Sequence, residues 1–155
     1  MGSLVQVTGS SRPMTEFIKY LHKRLLIDIR RPWWINGMLI FSAYMTIIYL
    51  PWDIFIKPLS EDQEVWFGIL FTAWPAKFGA LLHWLIYGFA MIGLAGMKRW
   101  VQPWASLYII QIAYGMAYWG INDERSSGAI VIAIVSSFFL LLAYFLWRQR
   151  KLFKN

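Results

Sequence analysis

Residues 78–97 read FGALLHWLIYGFAMIGLAGM, twenty in a row without a charged side chain. About 20 residues of α-helix are needed to cross the hydrocarbon core of a bilayer. A spanning segment must satisfy every backbone N–H and C=O internally, and a helix does this within itself. The run is solidly apolar and lacks the alternation of a barrel strand, so a helix is predicted. Three further stretches are free of charge: 32–52, 100–122 and 126–147. The predicted fold is therefore an all-α membrane protein, a four-helix transmembrane bundle occupying 32–147, with spans at about 32–52, 75–97, 100–122 and 126–147. The second span is extended back to 75 because Pro75 suits the first turn of a helix, where its missing N–H costs nothing.

Composition supports this reading. Of 155 residues, 59% are hydrophobic and only 15% charged, against a usual quarter of charged residues in soluble domains. A chain this short has too much surface for its volume to hide so much apolar area from water. There is no cysteine, which excludes disulfides, thiolate catalysis and cysteine-ligated metals. The net charge of +7 does not point to nucleic acid, because the charges sit at the ends of the apolar runs.

Their distribution predicts orientation. Arg12, Lys19, Lys23, Arg24, Arg30 and Arg31, then Lys98 and Arg99, then Arg148, Arg150, Lys151 and Lys154 fall on one side of a four-span chain. Lys57, Lys77 and Arg125 fall on the other. Basic residues concentrate in the cytoplasm, so both termini are expected there, in a multi-pass protein of the cell membrane, a bacterial inner membrane by default. Tryptophans form two belts on this reading. Trp33, Trp34, Trp100, Trp104 and Trp147 lie at the inner interface, Trp52, Trp66, Trp74 and Trp119 at the outer one, and only Trp84 lies deeper.

Outside the spans, residues 1–13 read as a flexible tail and 148–155 as a basic cytoplasmic tail. Residues 14–31 (MTEFIKYLHKRLLIDIRR) put Met14, Phe17, Ile18, Leu21 and Leu25 on one helical face. Lys19, Lys23, Arg24, Arg30 and Arg31 are then expected at the anionic surface of the inner leaflet. Residues 61–74 are too short to cross and are read as an outer interfacial or re-entrant piece. Its acids Glu61, Asp62 and Glu64 fit no calcium loop and are expected in a solvated loop.

Polar groups within the spans are the candidate site. His83 is the only histidine in a span, and Tyr87 lies one turn further on the same face. Reflection about a turn at Lys98-Arg99 brings Tyr114 to the level of His83 and Gln111 to that of Tyr87. Thr46 reaches the same depth. The seam His83, Tyr87, Gln111, Tyr114 and Thr46 either glues helices together or surrounds a ligand. No carboxylate is expected to accompany the histidine, and no second intramembrane histidine offers the axial pair of a haem. No cofactor, metal or catalytic residue is expected. The function expected first is a non-enzymatic accessory or assembly subunit of a membrane complex. A binder or carrier of a small hydrophobic ligand or lipid around His83 follows, and an enzyme acting on lipid or quinone comes last. Expected partners are the bilayer, other membrane subunits or a second copy of the chain.

Overall fold

The computed structural model describes residues 31–123 and 128–153. The expected flexible tail, and all of the predicted surface helix except Arg31, lie outside the described residues, as do Lys19, Lys23, Arg24 and Arg30.

A first helical rod comprises α1 (Trp33–Tyr44), a π-helical turn (Met45–Tyr49) and α2 (Leu50–Phe55). The wide turn has a local cause. Pro51 has no N–H to donate to the carbonyl four residues back. The helix widens just before it, and the Leu50 N–H reaches Met45 O instead. A short 3₁₀ turn (Leu59–Glu61) follows, then β1 (Gln63–Trp66) and β2 (Ile69–Thr72). Helix α3 (Ala73–Ala95), helix α4 (Val101–Asn122) and helix α5 (Ala129–Arg148) follow, closed by a second 3₁₀ turn (Gln149–Leu152).

Three helices are long and apolar enough to cross a membrane: Trp33–Phe55, Ala73–Ala95 and Ala129–Leu152. Helix α4, at 22 residues, is nearly as long, but Gln102, Ser106, Tyr108, Gln111, Tyr114 and Tyr118 make it more polar. The flanks of the helices carry bare apolar side chains. Trp33 is 84% exposed, Ile121 80% and Ile130 78%, a surface that lipid can cover and water cannot.

The chain is mostly helical, and the all-α description needs correction only at 61–74, the segment expected as an outer interfacial or re-entrant piece. This segment contains an antiparallel β-hairpin, paired from Gln63↔Thr72 to Trp66↔Ile69. Phe67 and Gly68 form its two-residue loop with φ of 51° and 81°, the twist that right-handed strands prefer at a tight turn. A side chain at Gly68 would collide with the Tyr118 ring, so glycine is required on two counts. The hairpin lies against α3 and α4, and Pro75 falls in the first turn of α3 as expected.

The acidic loop also differs from expectation. Asp53 and Asp62 are both 1% exposed. Lys57 Nζ lies 3.0 Å from Asp53 Oδ1 and 3.1 Å from Asp62 Oδ1. Lys77 Nζ lies 3.1 Å from Asp62 Oδ2 and also donates to the carbonyls of Asp53 and Lys57. Two acids and two bases thus neutralise one another and clamp the end of α2 to the start of α3. Burial opposes the charge on Lys57, but hydrogen bonds and attraction from Asp53 and Asp62 prevail and raise its pKa above the ordinary 10.5.

At the opposite end, α3 closes with Met97 in a left-handed conformation. Its N–H reaches Leu94 O at 3.2 Å, and the Lys98 N–H reaches Gly93 O at 2.8 Å. These are the two bonds of a Schellman cap, and they turn the chain sharply into α4. Arg31 adds to this cap: Nη1 donates to the carbonyls of Leu94 (3.2 Å) and Ala95 (3.3 Å). A cation there also complements the helix dipole. Arg31, expected at the membrane surface, is therefore turned inward and buried. The core at this end joins Ile35, Leu94, Val101, Leu146 and Phe153. It brings together the start of α1, the end of α3, the start of α4 and the end of α5.

Candidate functional site

The period of a β-strand puts Glu64 and Trp66 on the same face of β1. That face meets α3 at His83. The Trp66 indole stacks on the His83 imidazole, ring centroids 4.1 Å apart and planes within 16°. Glu64 Oε2 lies 3.3 Å from His83 Nδ1, and each side chain is only 16% exposed. His83 is ten residues into α3, roughly 15 Å from its start by helix rise. The close approach depends on Gly79, one turn earlier on the same face. A Cβ there would come within 2.6 Å of Trp66 Nε1. Gly115 on α4 plays a similar part, since a Cβ would sit 3.4 Å from the Gly68 backbone nitrogen.

Helix α4 closes the other side. Tyr108 stands edge-on to His83 at 6.0 Å and to Tyr87 at 5.8 Å. The two tyrosine rings pack edge to face and join α3 to α4. His83, Tyr87 and Gln111 thus line one cavity of about 480 Å³, together with Glu64, Tyr108 and Gly115. Met45 and Tyr49 from the π turn complete its wall. Gln111 Oε1 is buried there without a hydrogen-bond partner. A second cavity of about 550 Å³ lies toward the basic end and is lined by apolar side chains such as Phe41, Phe89 and Trp104. Tyr87, Tyr108 and Ile112 line both, so the two cavities meet across the tyrosine pair.

Two of the five sequence-predicted residues lie off this wall. Thr46 donates its hydroxyl to Ser42 O at 2.7 Å and receives Trp84 Nε1 on its carbonyl at 2.8 Å. It ties α1 to α3 beside the cavity. Tyr114 is 54% exposed and packs on Tyr118 instead. Reflection gave its level but not its direction. It points about 120° away from Tyr108 and the stripe of Ile112, Gly115 and Trp119. The absence of a carboxylate beside the histidine is corrected too, because Glu64 comes from outside the spans. Trp66, assigned to the outer belt, is turned inward with it. Glu64 and Trp66 were legible only as alternate residues ahead of a Phe-Gly turn, a weak strand signal.

Chemically, this is a flat aromatic slot with one carboxylate–imidazole contact and one unsatisfied acceptor. The Glu64 carboxylate lies on the Nδ1 side of the His83 ring. Such walls fit ring-bearing molecules. Cavities of this size are typical of small-molecule sites. The chain matches no family model, no curated protein and no solved structure.

Proposed function

We propose that this chain is a multi-pass membrane protein that binds a small hydrophobic ligand in the cavity around His83. The carrying observation is the Glu64–His83 pair beside the unpartnered Gln111 Oε1, at the wall of an aromatic cavity that opens on an apolar one. The ligand class follows from those groups. A flat ring stacks in the slot, a hydroxyl or N–H on it donates to Gln111 Oε1, and an apolar tail fills the second cavity. An anionic solute is disfavoured, because Lys57 and Lys77 are spent on Asp53 and Asp62 and the one described charged side chain on the cavity wall besides the histidine is the carboxylate of Glu64.

In this reading α4 is the fourth crossing of a four-helix bundle. Its Gln102 and Ser106 are buried against the other helices, and its Tyr108 and Gln111 line the cavity, at levels where lipid would reject them. The basic end lies in the cytoplasm, supported by the strong bias of lysine and arginine toward that end. Binding, rather than catalysis, is proposed because the described cavity wall holds one histidine and one carboxylate beside three tyrosines, with no serine or lysine to serve as a nucleophile.

The test is purification in mild detergent, followed by organic extraction and mass spectrometry of retained small molecules. The wild type is expected to retain a ring-bearing apolar compound. His83→Ala is expected to lose it while staying monodisperse. A wild type that carries nothing small, and that brings down stoichiometric membrane proteins instead, would favour the accessory-subunit reading.

A further inference from the structure

A third cavity lies at the basic end, remote from His83. The final 3₁₀ turn bends the chain back, with the Phe153 N–H reaching Arg150 O at 3.3 Å. Phe153 is then buried in the core, 3% exposed. This anchor holds Arg150 and Lys151 over the start of α4 instead of letting them stream away. Together with Arg99 they surround a cavity of about 490 Å³ walled by Pro103 and Trp147. Its inner wall is Gln102, buried, whose Nε2 donates to Leu146 O at 3.5 Å and braces α4 against α5.

None of the three cations forms an ion pair with a described carboxylate. Every described acid lies at the other end of the helices. The positive end of the α4 dipole lies at the same corner. Like charges gathered around a cavity repel one another, and an anion relieves that repulsion. The setting says which anion. Trp104, 68% exposed, and Trp147, 49% exposed, flank this end on the apolar surface, where indoles mark headgroup level.

We infer that Arg99, Arg150 and Lys151 form a binding site for the phosphate headgroup of an anionic phospholipid. The acyl chains then run along the apolar flanks of α4 and α5. The site is separate from the His83 cavity, and its failure would leave that reading untouched.

The test uses the full chain, delipidated in an uncharged detergent and titrated with phosphatidylglycerol, phosphatidylcholine or inorganic phosphate while thermal unfolding is followed. Phosphatidylglycerol is expected to raise Tm saturably, and phosphatidylcholine and millimolar phosphate are not. Arg99→Gln and Arg150→Gln are each expected to weaken the apparent affinity about fivefold. Lys98→Gln, on the same turn but off the cavity wall, is expected to change it less than about twofold. Equal loss in Lys98→Gln would reduce the effect to unspecific surface charge and overturn the site. An equal response to phosphatidylcholine, or saturation by phosphate alone, overturns the lipid assignment. Native mass spectrometry of the wild type needs no variant: one phosphatidylglycerol should survive activation that strips phosphatidylcholine, and equal stripping overturns the proposal.

Discussion

Gly79 controls whether Trp66 can reach His83. With 2.6 Å between an added Cβ and Trp66 Nε1, Gly79→Ala must push the indole away or spread the hairpin from α3. Overpacking of this kind costs about 1–3 kcal/mol. Thermal unfolding in detergent should show that loss, and ligand retention should fall with it. Ligand retention equal to wild type in a destabilised Gly79→Ala would separate the Trp66–His83 stack from binding. Asp62 is the other residue whose surroundings set a large effect. It is the carboxylate shared by Lys57 and Lys77, with none of its side chain exposed. Removing one partner of a buried pair leaves an uncompensated charge, at a cost of about 3–5 kcal/mol. Asp62→Asn is expected to show this loss, and Asp62→Asn with Lys77→Met to recover much of it. An additive double variant would mean that the two side chains do not interact.

The clamp between α2, the hairpin and α3 also carries a pH dependence. The folded pKa of Lys57 is raised, so the folded protein holds this proton more tightly than the unfolded chain does. Its stabilisation is whole below the ordinary pKa of 10.5 and drains away as pH climbs through the higher folded value. Unfolding temperature should drop more steeply in alkaline buffer for wild type than for Lys57→Met. The hairpin itself is an element that helix-based reading passes over. Its strands are four residues each, too short for a clear alternating signal, and they sit in a run apolar enough to resemble the head of a span. The Phe-Gly turn and the spacing of Glu64 and Trp66 are visible in the sequence. Their target, ten residues into the next helix, is not.

For the whole molecule, the start of α1 and the end of α5 share one core, so the described chain begins and ends at one end of the helices. With α4 as a fourth crossing, Ser60 lies across the membrane from both termini. The absence of cysteine makes single substitutions clean reporters. Ser60→Cys, at an exposed position, is expected to label with an impermeant maleimide from outside whole cells, and a cysteine appended after Asn155 only after lysis. Labelling of both from the same side would remove α4 as a crossing, and with it the proposed orientation.

Sequence alone determined that the long uncharged stretches are helices, three of them apolar enough to cross a membrane, since a helix pairs all of its backbone groups within itself. It also determined the gathering of lysine and arginine at one end, and it named His83, Tyr87 and Gln111 by their depth along a helix. Tertiary structure decided the rest. Depth follows from counting residues, but azimuth and long-range pairing do not. Tyr108 therefore occupies the place expected for Tyr114, and Thr46 serves α1–α3 packing through its backbone carbonyl. A carboxylate from a segment that reads as a solvated loop reaches the histidine only because the hairpin folds down along α3 and glycines let it come close.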